Sequence, residues 1–178
     1  SQRPTRLGQL RMPRTHTAPP QRISVSPDGA LLILSSSVDG DLIVLPAVPE
    51  SNDTNTRQFP FVHPADLEKA GQTDWIVRQH RRPVNEITWS RDGRWMITAS
   101  DDRSIGVWKR AEQAEEARTA IPELQQFLRG HGARVFQAMF LNNNATRLVS
   151  SSADRCSRLW DLTTIETDRR EIRRAFDL

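Results

Sequence analysis

The chain has 178 residues, a formal charge of +3 and 37% apolar residues, enough for one domain with a core. Its longest apolar runs, Ala30 to Leu34 and Leu42 to Leu45, fall far short of the ~20 residues a helical membrane span needs, so no membrane partner is expected. The single cysteine, Cys156, excludes an internal disulfide and a multi-thiolate metal site, and it points to an intracellular address, cytoplasmic or nuclear.

The first 20 residues carry Arg3, Arg6, Arg11 and Arg14 without an apolar core, so no secretory signal is expected. From His16 onward the chain follows a pattern that it repeats twice. His16 is followed by Pro20, Ile23 and Val25, the pair Asp28-Gly29, a run from Leu31 to Ser37, the triplet Ser37-Val38-Asp39, and Leu45. His80 opens the second copy with Val84, Ile87 and Trp89, then Asp92-Gly93, Trp95 to Ser100, Ser100-Asp101-Asp102, and Trp108. His131 opens the third with Val135, Ala138 and Phe140, then Asn143-Asn144, Thr146 to Ser152, Ser152-Ala153-Asp154, and Trp160-Asp161. Asp-Gly and Asn-Asn pairs tolerate positive φ and close tight hairpins, so each copy turns at the same place, and the runs after the turns predict strands.

The anchoring histidines are 64 and 51 residues apart although the matched positions span nearly the same length in each copy, so extra chain falls between the copies, at residues 46–73 and 110–122. The first insertion, with Pro46, Pro49, Pro60 and Pro64, predicts an extended loop with a short helix near 64–70. Its Phe59, Phe61 and Val62 either pack against the fold or grip a partner. The second predicts a short helix with Ala111, Ala114, Ala117 and Ile121 on one side.

Ser, His and Asp also form hydrolase triads, but a nucleophile is needed once, whereas three copies at matching spacing suit a structural role in each repeat. No Gly-x-Ser-x-Gly elbow, phosphate-cradling glycine loop or His-x-x-x-His pair occurs. No catalytic residue, cofactor, metal or small-molecule substrate is therefore expected.

Gly130-His131, the Ser-x-Asp triplets and Trp160-Asp161 resemble the WD-repeat β-propeller family over about residues 8–178, the two insertions apart. The resemblance implies an all-β fold of four-stranded antiparallel blades stacked around a channel. It places the first blade at about 8–47, the second at about 74–110 and the third at about 123–162. The strand preceding each histidine is then outermost, near 7–12, 75–78 and 124–128, with a last one near 171–176. The same resemblance implies a hydrogen-bonded brace in each blade, made of His16, Ser37 and Asp39; of His80, Ser100, Asp102 and Trp108; and of His131, Ser152, Asp154 and Trp160. Leu45 stands where the first brace would have its Trp. Which hydroxyl takes part stays open, because Ser35, Thr98 and Ser150 lie on the same strand faces two residues earlier.

Propellers typically close with about 4–8 blades, so a three-bladed chain is expected to be part of a larger propeller or to be completed by a partner. The function implied is that of a protein-interaction scaffold, a subunit of a larger assembly. A second reading takes the arginines as phosphate contacts to RNA or DNA, through Arg78, Arg81 and Arg82 and through Arg169, Arg170, Arg173 and Arg174.

Overall fold

The structure, a computed structural model, describes residues 18–47, 75–111, 121–141, 145–163 and 165. His16, Phe59, Phe61 and the arginines from 169 to 174 lie outside these residues, as do the strands expected near 7–12 and 171–176 and most of both insertions.

The first two copies turn at Asp28-Gly29 and Asp92-Gly93 as expected, and Asn143-Asn144 of the third lies outside the described residues. Strands β1 (Pro20–Val25), β2 (Leu31–Ser36), β3 (Asp41–Pro46) and β4 (Ile76–Arg78) form one antiparallel sheet, sheet I. Sheet II follows with β5 (Val84–Trp89), β6 (Trp95–Ser100), β7 (Ile105–Lys109) and β8 (Glu123–Leu128). The described part of sheet III comprises β9 (Val135–Phe140), β10 (Arg147–Ser152) and β11 (Ser157–Asp161). Gly29 and Gly93 sit at φ +71° and +70° in the β1–β2 and β5–β6 hairpins, where any other residue would be strained.

Repeat and sheet are offset by one strand. The strand at 76–78, expected to open a blade of about 74–110, pairs with β3 and closes sheet I; likewise β8 closes sheet II and not a blade of about 123–162. The reason is geometric. A strand leaving β3 through a long connection returns antiparallel to β3 itself, and the chain then crosses to start the next sheet at its innermost strand.

The sheets stack face to face, with β1, β5 and β9 side by side. Leu31, Ile33, Leu42 and Val44 of sheet I pack on Val84, Ile87, Met96 and Trp108 of sheet II. On its other face, sheet II sets Trp95, Ile97, Ala99, Ile105 and Val107 against Val135, Ala138 and Leu148 of sheet III. Strands β2 and β6 are buried along their whole length, which is why they lack a two-residue alternation in sequence. In β10 burial alternates from residue to residue, because one face of sheet III is open. No helix among the described residues is long and apolar enough to cross a membrane.

Candidate functional site

Sheets II and III each carry a complete polar brace on the face turned toward the preceding sheet. In sheet II the Trp108 indole N–H donates to Thr98 Oγ1 at 2.9 Å, Thr98 Oγ1 lies 2.6 Å from His80 Nε2, and His80 Nδ1 lies 2.8 Å from Asp102 Oδ2. Only one proton arrangement satisfies all of these with a neutral imidazole: the Thr98 hydroxyl donates to Nε2, and the Nδ1 proton goes to the carboxylate. Asp102 also accepts from the Arg81 and Ser104 amides and from the Ser104 hydroxyl. Burial works to raise its pKa, but the hydrogen bonds from His80, from Ser104 and from the Arg81 amide hold it well below the ordinary carboxylate value.

Sheet III repeats the geometry. Trp160 Nε1 donates to Ser150 Oγ at 2.8 Å, Ser150 Oγ is 2.8 Å from His131 Nε2, and His131 Nδ1 is 2.8 Å from Asp154 Oδ2. The hydrogen bonds from His131 and from the Gly132 and Cys156 amides hold the Asp154 carboxyl below its ordinary range. Arg158 reaches over this brace, its Nη2 3.9 Å from Asp154.

The hydroxyl in the brace is thus that of Thr98 and Ser150, not of Ser100 and Ser152. Ser100 Oγ instead binds the Arg82 and Pro83 carbonyls and receives the Asp102 amide; Ser152 Oγ does the same with Ala133, Arg134 and Asp154. These two serines fasten the tight turn to the loop before the inner strand. In sheet I the residue in their place is Ser36, which receives the Val38 amide, and not Ser37, because that turn is one residue longer. Asp39 keeps its turn role by accepting the Asp41 amide.

Sheet I has replaced the brace with hydrocarbon. The register puts Leu34 where Thr98 stands, Ile43 where Gly106 stands and Leu45 where Trp108 stands, and these pack with Leu32 and Trp75 in one apolar cluster. Gly106 shows why the substitutions go together. A Cβ there would lie 2.6 Å from Thr98 Oγ1 and 2.7 Å from Trp108 Nε1, so the indole reaches its acceptor only across a glycine. Gly106→Ala is accordingly expected to destabilise the fold by about 2 kcal/mol, as overpacking in a closed core does; equilibrium urea unfolding measures it, and a loss below about 0.5 kcal/mol would contradict the account.

The brace offers no reaction centre. The His80 and His131 side chains are buried, and each hydroxyl and carboxylate is committed within its own sheet. Cys156 is exposed in the β10–β11 turn and not inside a strand. Of the arginines expected to meet a partner, Arg78 pairs with Asp41 at 2.9 Å, while Arg81 and Arg82 project from the exposed β4–β5 connection.

The description "WD domain, G-beta repeat" matches residues 71–109 and 122–161, the two copies that retain the brace. Similar proteins include COMPASS component SWD3 of Saccharomyces cerevisiae, 32% identical over 96 residues, 54% of this chain and 27% of that protein. Periodic tryptophan protein 2 of the same organism is 27% identical over 147 residues, 82% of this chain and 14% of its own length. Eukaryotic translation initiation factor 3 subunit I of Schizosaccharomyces pombe is 29% identical over 89 residues, covering 50% of this chain and 24% of that protein. The chain therefore spans about a quarter or less of the length of these relatives. With these two matches, and sheets whose pairing, turns and braces follow one plan, residues 71–109 and 122–161 of the chain are WD repeats.

Proposed function

We propose that the protein is a non-catalytic interaction scaffold, a WD-repeat subunit of a larger intracellular assembly. One observation carries this reading. Met139, Val149 and Leu159 form a row across the open face of sheet III, and the register equates Val149 and Leu159 with Ile97 and Val107 of sheet II. Ile97 and Val107 are 1% and 0% exposed because sheet III covers them, whereas Met139 and Leu159 are 42% and 66% exposed. A row built like a blade interface and left open is a surface for another blade, from the parent polypeptide or from another subunit. The naming of two relatives as a COMPASS component and a subunit of an initiation factor supports membership of a complex.

The test is association. At micromolar concentration the full chain should self-associate in sedimentation velocity or recover a stoichiometric companion from cell extract. Met139→Asp with Leu159→Asp should abolish that association and leave the fold intact. A wild-type chain that stays monomeric and recovers nothing would overturn the reading.

A further inference from the structure

The strands alternate in direction, so the β2–β3, β4–β5, β6–β7, β8–β9 and β10–β11 connections all emerge at one rim of the stack. Contacts between them show that this rim is continuous. Gly40 of the β2–β3 turn abuts the His80 backbone so closely that a Cβ would lie 2.2 Å from its carbonyl oxygen. Asn85 Nδ2 joins Asp101 of the β6–β7 turn to the Val135 carbonyl at the start of β9.

This rim carries a row of guanidinium groups in modest excess over its carboxylates. Arg81, Arg82, Arg103, Arg129, Arg134 and Arg155 are all exposed along it. Of the carboxylates beside them, Asp41 is paired with Arg78, while Asp102 and Asp154 are hydrogen-bonded to the histidines, Asp101 to Asn85, and Asp39 is exposed, so that these four charges face the six guanidinium groups. At the opposite rim three ion pairs stand beside the exposed Arg91, with Arg110 on Asp28 at 3.0 Å, Arg147 on Asp161 at 3.9 Å and Arg94 on Asp92 at 4.0 Å.

Two further features separate this rim from ordinary solvated charge. Arg103 and Arg155 occupy φ +72° and +66°, a conformation that disfavours any side chain, so the turns present guanidinium groups where glycine would fit better. The Arg134 guanidinium lies 5.1 Å from the centroid of the Phe136 ring, which is 44% exposed, and Arg129 lies 5.4 Å from that of Phe127. Cations beside accessible aromatic faces are the combination that holds single-stranded nucleic acid, phosphates on the arginines and bases on the rings. We infer that this rim binds single-stranded nucleic acid, with Arg81, Arg82, Arg103, Arg129, Arg134 and Arg155 tracking the phosphates and Phe136 as a stacking platform. The inference does not rest on the scaffold reading: the arginines belong to the loop rim, and Phe136, the register counterpart of Asn85, stands where that rim meets the open face of sheet III.

The probe is a fluorescein-labelled 15-nucleotide oligouridylate, followed by anisotropy with the full chain. If about four to six phosphates are neutralised, affinity should fall roughly 50- to 300-fold between about 50 and 200 mM NaCl. Arg81→Gln, Arg82→Gln, Arg103→Gly and Arg155→Gly together should weaken binding at least about tenfold and reduce the salt slope by about two thirds. The glycines relieve the positive φ, so this variant should melt no lower than the wild type. Phe136→Ala should cost about tenfold with the slope unchanged, and Arg91→Gln with Arg94→Gln at the opposite rim should have less than about a twofold effect. Absence of binding at low salt would overturn the inference, as would equal losses from the opposite rim. Competition by polyglutamate as effective as by the RNA, with Phe136→Ala silent, would assign the rim to an acidic protein segment and also overturn it.

Discussion

Thr98→Val is expected to lower the stability of the fold by about 3 kcal/mol although it changes the side-chain volume very little. The hydroxyl at this position is fully buried and serves two partners, receiving the Trp108 indole N–H and standing 2.6 Å from His80 Nε2. Valine would leave both without a partner, and a buried polar group left unsatisfied costs about 1–3 kcal/mol. Thr98→Ser should cost less than about 1 kcal/mol, because a serine, Ser150, fills the same place in sheet III with equivalent geometry. Ser100→Ala, at the residue that the Ser-x-Asp triplet marks in the sequence, should fall between them at about 1–2 kcal/mol, since only turn-to-loop bonds are lost. Equilibrium urea unfolding of the three variants orders them. A Thr98→Val chain as stable as the wild type, or a Ser100→Ala chain less stable than it, would show that the brace does not run through Thr98.

That ordering also marks where the sequence ceased to be legible. The repeat, the hairpin turns and the strand runs could be read because each is a local pattern of residue types at fixed spacing. The choice between Thr98 and Ser100 could not, because residues two apart on a strand face the same way and both carry hydroxyls. Only the pairing of Thr98 with Gly106 beside Trp108 selects the first. Ser37 was mistaken for a different reason: a one-residue-longer turn keeps the triplet in register with its neighbours while moving Ser36 into the structural position. The offset between repeat and sheet was hidden too, since nothing along a chain says which neighbour an outer strand will pair with. Only Arg81 and Arg82 of the arginine rim are legible as a charge cluster, because Arg103, Arg129, Arg134 and Arg155 are scattered along the sequence. Leu34, Ile43 and Leu45, by contrast, replace a polar brace consistently, and once the register is known their apolar character explains why the first copy is the one that the family description does not match.

The contact between sheets I and II contains an ion pair that the corresponding contact between sheets II and III lacks, and removing half of it should be costly. Arg110 is 7% exposed, and its Nη2 lies 3.0 Å from Oδ2 of Asp28, in the β1–β2 hairpin of the neighbouring sheet. The Arg110 amide bonds to the Arg94 carbonyl as the Leu162 amide bonds to that of Thr146, so Leu162 is its counterpart, and Leu162 is packed in hydrocarbon. Burial works to raise the Asp28 pKa, yet hydrogen bonds from Arg110, Ser26 and the Ala30 amide, with the guanidinium charge, outweigh it and hold the carboxyl below its ordinary 3.8. Asp28→Ala would leave a guanidinium in the interface without this partner, and about 2–3 kcal/mol of stability should be lost, near the lower end for a broken buried pair because the carboxylate is partly solvated. Asp28→Ala combined with Arg110→Leu should recover most of that loss, since leucine reproduces the apolar contact seen at Leu162. The pH dependence has a defined sign. A carboxyl whose folded pKa is depressed stabilises fully above its unfolded value and loses that contribution as pH falls through its folded value. The difference between wild type and Asp28→Ala should therefore be constant from neutral pH down to about pH 5 and shrink below about pH 4. Urea midpoints across that range decide the matter: a difference that grows on acidification, or a double variant no better than Asp28→Ala, would mean that the two charges do not hold these sheets together.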